Sequence, residues 1–265
     1  MDKGILRPEC IPTGQYTQWQ AITINLESVE SPVELKFKLK MDLIENEWSV
    51  WVFPTELEPE LQSNAVIVED CGAEFEAALE SGKDILILPR GNIENGRDVI
   101  QFFSPVFWNT SWFQMNPPHT LGLLIDDKHP LFDDFPTAFY SDYHWWELVH
   151  RQPVANLELF PKDYEPIVAS IDTWFINRKL GILFEMRCRK SRVIICTCDL
   201  HCNLIRRPVA QLLRSRIKKY VGSASFQPKH QIDSKVLCEL FEKKQRPVYD
   251  CMTHEKPDEL IPQKL

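Results

Sequence analysis

Glycine is scarce in this chain. Its 265 residues include 9 glycines, against about 18 at the average usage of about 7%. Neither a G-x-G-x-x-G nor a G-x-x-x-x-G-K-[ST] run occurs, which argues against a backbone cradle for nucleotide phosphates. An excess of positive charge is missing too: 30 basic against 38 acidic side chains give a formal net charge of -8. A nucleic-acid partner would call for a basic face to neutralise phosphates, so none is expected. No window reaches the roughly 18 apolar residues of a membrane span, and the opening MDKGILRPECIPTG lacks the apolar core of a signal peptide. As written, the chain is expected in the cytoplasm and away from membranes. Its eight cysteines are too dispersed for a disulfide scaffold, so reduced thiols are expected.

The segment before Pro54 shows period-two alternation. Ala21–Leu26, Val33–Lys40 and Glu47–Phe53 read as three antiparallel strands with one wet face, the last part of a β-sandwich (residues 1–54). The acidic, proline-flanked stretch from Pro54 to Glu60 suits a domain boundary. An α/β domain over 55–224 follows. Its first unit is a βαβ: a strand at Ala65–Glu69, a helix around Phe75–Leu79 closed by Gly82, and a strand at Asp84–Leu88. Further strands are expected at Leu121–Ile125, Leu180–Glu185 and Arg192–Thr197, the last two as a hairpin. A helix from about Arg207 to Val221 places Val209, Leu212, Leu213, Ile217 and Tyr220 on one face. The basic run Arg206, Arg207, Arg214, Arg216, Lys218 and Lys219, placed in this one helix, reads as a solvated face. The expected class is therefore α/β with three layers, ending in a mostly irregular tail over 225–265 apart from a short helix at Ser234–Lys243.

One stretch stands out chemically. Between Gln101 and Val149 lie four of the eight tryptophans, Trp108, Trp112, Trp145 and Trp146, among many Phe and Tyr residues. Such side chains need a core, an interface or a ligand to stack on. Trp108, Asn109, Trp112, His119, His144, Trp145 and Trp146 are candidates to line a saccharide groove; filling a seam between domains or a dimer interface is the competing reading. The run Cys196-Thr197-Cys198-Asp199-Leu200-His201-Cys202 raises the question of zinc, but its spacing does not match the common C-x2-C pairs. No metal and no other cofactor is expected.

Several motifs, in order, resemble one family. They are Asn46–Pro54, Gly82–Leu86, Phe103–Thr110, Pro117–Gly122, His129-Pro130, Phe135-Pro136-Thr137, Trp145-Trp146, Ile171–Gly181 and Arg207–Ala210. Their succession is similar to the C-terminal half of large bacterial family 2 glycoside hydrolases, the β-galactosidase-like enzymes of carbohydrate metabolism. The resemblance implies the end of a β-sandwich followed by a domain of flavodoxin or class I glutamine amidotransferase type. It also implies that the family's catalytic (β/α)8 barrel has no room here, and that the chain is a non-catalytic accessory portion. Export or a periplasmic setting is then expected if the chain is part of a longer enzyme. Partners implied are an oligosaccharide, a catalytic domain or a second copy of the chain.

The residues themselves leave other readings open. Glycoside hydrolysis needs two carboxyl groups about 5 to 9.5 Å apart. Glu69, Asp70, Asp126, Asp127, Asp133, Asp134, Asp142 and Glu147 supply candidates, but no spacing pairs two of them. An amidotransferase nucleophile would be a cysteine on a tight turn after a strand; Leu88 is followed by Pro89-Arg90-Gly91. A self-sufficient hydrolase working through carboxylates of the α/β domain and a subunit-association module are the alternatives.

Overall fold

The structure is a computed structural model that describes residues 4–5, 12–16, 18, 21–54, 63–99, 101, 103, 120–172 and 177–244. Near the start, β1 (Val33–Met41) and β2 (Ile44–Val52) form an antiparallel hairpin in register from Val33 opposite Val52 to Met41 opposite Ile44. Alternation sorts its side chains by face. Leu35 faces Val50 and Phe37 faces Trp48, while on the other face Lys38 lies opposite Glu47. The Glu47 carboxylate bridges Lys38 at 2.6 Å and Lys36 at 3.2 Å. The turn is closed by Asp42, whose φ of 51° is a conformation that Asp tolerates better than most residues. Only two of the three expected strands form. Residues 21–26 are extended in sequence pattern yet wholly exposed and outside any strand, because no ladder takes up their backbone groups.

The main body is a mixed seven-stranded sheet in the order β3-β4-β9-β8-β7-β5, with β6 on β8. Its strands are β3 (Val66–Val68), β4 (Ile85–Ile87), β5 (Thr120–Ile125), β6 (Ala155–Asn156), β7 (Val168–Asp172), β8 (Lys179–Cys188) and β9 (Ser191–Cys196). The first three in the order, β3, β4 and β9, run parallel; the pairs from β9 onward are antiparallel. The βαβ unit and the β8–β9 hairpin are as expected from the sequence. Helix α1 (Ala73–Ser81) ends on Gly82, whose φ of 64° lets its N–H reach the Ala78 and Leu79 carbonyls. Asp84 and Arg192 join the starts of β4 and β9 through a two-pronged ion pair, with Nε to Oδ1 at 2.8 Å.

Both faces of the sheet are buried, and the strands read accordingly as continuous apolar runs. Leu86, Leu88, Ile182, Ile194 and Cys196 point into one core with Val209, Leu212, Leu213 and Ile217 of α3 (Pro208–Val221). Ile85, Ile87, Phe184, Met186, Val193 and Ile195 point into the other, against Phe75, Ala78 and Leu79 of α1. That second core also takes Ile232, and Leu237 and Leu240 in and after α4 (Ser234–Cys238). Each such Leu, Ile or Phe contributes about 1.5–3 kcal/mol by leaving water. Residues 226–241, where periodicity is weak, thus belong to the packed body: the Glu94 and Asn95 amides donate to the Leu240 carbonyl at 2.8 and 3.0 Å.

Candidate functional site

The aromatic segment is shaped by helical spacing. Asp142 opens a 3-10 turn over Tyr143–Trp145, its Oδ1 accepting from the Tyr143 amide at 2.7 Å, and the turn runs into α2 (Trp146–Val149). Residues three and four apart share a side of such a turn. Trp145, Leu148 and Val149 are therefore turned inward and fully buried. Tyr143, Trp146 and His150 take the outer side. Trp146 is 53% exposed and its ring stacks on the His150 ring, centroids 5.4 Å apart and planes 17° apart. Tyr143 is 75% exposed and 5.9 Å from the Phe103 ring. Phe139 and Tyr140, both exposed, meet edge to face at 5.0 Å. These three ring pairs, drawn from residues 139–150 and Phe103, are termed the aromatic ledge.

The expected saccharide residues divide between ledge and core. Trp146 presents an open ring. Trp145 does not: at 1% exposure it packs edge-on against Phe132 and Phe135, and its Nε1 donates to Thr137 Oγ1 at 3.0 Å. Its ring faces are used up by packing, which corrects its assignment to a sugar-stacking surface. His144 is also enclosed, 4.7 Å from the Trp51 ring and near Phe135 and Trp145. Neither ring nitrogen completes a hydrogen bond. Burial pushes its pKa down to about 4, against weaker opposing pulls from Asp142 and the Pro136 carbonyl. A neutral, enclosed imidazole is a packing group rather than a sugar ligand, so His144 too is corrected. Trp108, Asn109, Trp112 and His119 lie outside the described residues.

A second polar site sits where ligands bind in open α/β sheets, beyond the carboxyl ends of the parallel strands. Glu69 follows β3, Arg90 follows β4, and Asp199 and His201 follow β9. Glu69 Oε1 holds Arg90 Nε at 3.1 Å, and Arg90 Nη2 lies 3.2 Å from His201 Nδ1. A guanidinium can only donate, so Nδ1 is the acceptor and the imidazole is neutral. Its pKa is lowered by burial first, then by Arg90 and Arg214. Asp199 accepts from the His201 and Cys202 amides at 2.9 and 3.0 Å and from Arg207 at 2.7 Å. Arg207 in turn donates to the Glu147 carbonyl at 2.9 Å, while Glu147 Oε1 caps α3 by accepting from the Ala210 amide at 2.8 Å.

What this network can do is limited by how it is occupied. Arg90, three residues past the end of β4, adopts a φ of 47°, a left-handed conformation uncommon for a residue other than glycine. A guanidinium is no nucleophile. Of the two thiols that flank Asp199 and His201, Cys202 is exposed, whereas Cys198 is enclosed, and Cys196 together with burial raises its pKa well above the ordinary range. Thiols of that kind are inert. Asp199 and Glu147 are engaged by amides and guanidinium, although burial raises the Glu147 pKa.

Two features escape sequence reasoning. Arg178, with a side chain 1% exposed, donates to Asp172 from Nε at 2.8 Å and from its own amide at 2.8 Å, and to Asp98 from Nη1 at 2.6 Å. Asp172 and Arg178 stand six residues apart in the Ile171–Gly181 motif, but Asp98 is eighty residues away and no local pattern links it. The other is a cavity of about 400 Å³ lined by Cys71, Asn92, Glu94, Cys238 and Phe241, whose walls come from three separate segments.

Two family models match the chain. A domain of unknown function (DUF8487) covers residues 66–242, and another domain of unknown function (DUF8488) covers residues 1–54. No curated protein matches.

Proposed function

We propose, for a chain that belongs to the DUF8487 family across its α/β body, a non-catalytic accessory role in a family 2 glycoside hydrolase-like protein of carbohydrate degradation. The observation that carries the reading is the aromatic ledge. Trp146, Tyr143, Phe139 and Tyr140 present large exposed faces, and such faces pack against the apolar C–H surfaces of sugar rings. A flavodoxin-like or amidotransferase-like three-layer arrangement is part of the same reading. It is supported by the parallel trio β3-β4-β9, by helices against both faces of the sheet, and by the left-handed turn at Arg90. The arginine in that turn and the engaged carboxylates around Asp199 favour binding over catalysis.

Isothermal titration of the folded chain with galactosides and plant oligosaccharides tests the reading. Binding heat is expected, lost in Trp146→Ala with the thermal midpoint unchanged. Absence of heat from any glycan would remove the saccharide role. A second reading, docking of the ledge on a catalytic domain or a second copy, is favoured by the same exposed rings, and light scattering of wild type against Trp146→Ala addresses the copy.

A further inference from the structure

Besides the buried Cys188, the cysteines among the described residues fall into three groupings. Cys196 and Cys198 lie two apart at the end of β9 and are closed off from solvent. Cys202 is exposed and alone. The third grouping is different in kind. Cys71, in the turn between β3 and α1, and Cys238, the last residue of α4, are both free, both partly open, and both line the 400 Å³ cavity. No group of three His, Cys, Asp or Glu among the described residues is arranged to hold a metal ion, so thiol chemistry is the property to consider.

We propose that Cys71 and Cys238 form a reversible thiol–disulfide site, closed by low-molecular-weight disulfides that enter the shared cavity. The two sulfurs interact directly: Cys238 is the foremost influence on Cys71, raising its pKa, and Cys71 is the foremost influence on Cys238, lowering it. Within this proposal Cys238 attacks first, as its thiolate. It displaces one thiolate from a disulfide RSSR and becomes a mixed disulfide. Cys71 then loses its proton, attacks the Cys238 sulfur and expels the second thiolate. Two protein thiols give up two electrons and two protons, and RSSR leaves as two RSH. Cys188 is close enough to bear on both sulfurs, but it does not line the cavity, is fully buried, and burial pushes its pKa up to about 11. It is not the partner.

Closing this bond would tie the C-terminal segment to the β3–α1 turn. At present that segment is held by the Leu240 carbonyl contacts to Glu94 and Asn95 and by the Ile232 amide on the Arg187 carbonyl at 2.8 Å. The disulfide adds a covalent clamp at the end of α4.

Glutathione disulfide is the probe, applied to the full chain after reduction and removal of reductant. A non-reducing digest should link the Cys71 peptide to the Cys238 peptide, in a product two hydrogens lighter than the two free peptides together. Cys71→Ser should instead retain one glutathione on Cys238, since the resolving thiol is gone, and Cys202→Ser should behave as wild type. Amide exchange over residues 234–241 should slow in the oxidised protein. Recovery of both cysteines as free thiols after treatment overturns the proposal, as does a link from either one to Cys188. The wild-type digest reads these outcomes even if the Cys71 variant folds poorly.

Discussion

Trp51 Nε1 donates to Asp142 Oδ2 at 2.9 Å, while the same indole leans on the His144 ring at 4.7 Å. One carboxylate therefore fastens the N-terminal hairpin and opens the turn that builds the aromatic ledge, since Asp142 Oδ1 takes the Tyr143 amide.

Removing the indole should loosen the hairpin. Trp51→Phe keeps a ring but loses the hydrogen bond to a carboxylate, a cost of about 1.5–3 kcal/mol. Limited proteolysis should cut between the hairpin and the α/β body sooner than in wild type. Unaltered cleavage would mean that the Trp51–Asp142 contact is not what holds the two together.

His144 makes stability depend on acid. Unfolded histidine titrates near 6.5, whereas burial holds the folded ring near 4. Between those values only the unfolded chain takes up the proton, so stability falls as pH drops from 6.5 towards 4, by up to about 3 kcal/mol. Above 6.5 this contribution is complete and constant. Urea midpoints at pH 7 and 4.5 measure the loss, and His144→Phe should shrink the difference between them.

Asp172 and Arg178 form a buried pair whose halves are not independently removable. Asp172→Ala leaves a guanidinium inside without the carboxylate that takes its Nε–H, a loss of about 3–5 kcal/mol. Replacing both with apolar residues of similar volume should cost much less. Chemical denaturation of the single and double variants decides this, and equal losses in both would show that packing rather than charge is at stake.

Gly96 is confined by geometry. Its φ is 116°, and a Cβ there would fall 2.2 Å from the Val154 carbonyl oxygen. Gly96→Ala should therefore destabilise by several kcal/mol, on the order of 3 or more from strain and displacement together. Thermal unfolding is the measurement, and a midpoint within a degree or two of wild type would contradict it.

Elements with a local cause were legible in the sequence. Gly82 marks the end of α1, the apolar run from Val193 to Cys196 marks a strand buried on both faces, and the five inward residues of α3 follow from period alone. Residues 21–26 were not, because alternation says which face a residue would take but not whether a partner strand exists. Neighbours in the ledge show the same limit. Trp145 and Trp146 differ by one position and by 1% against 53% exposure. The one-hundred-degree step between them was hidden by the density of aromatics around it. Asp98, Cys71 and Cys238 meet their partners only through the tertiary fold.

The ion pair between Asp84 and Arg192 spans 108 residues, and that separation bears on the order of folding events. The β8–β9 hairpin, closed by Arg189 and Lys190 between strands that end at Cys188 and resume at Ser191, can form on the scale of about 1–10 μs. Docking β4 beside β9 must first close the long intervening loop, whose entropy opposes it, so this pairing comes late. Asp84→Asn should then hasten unfolding and leave the folding limb of the chevron nearly unmoved. A slowed folding limb would instead place the Asp84–Arg192 clasp in the nucleus.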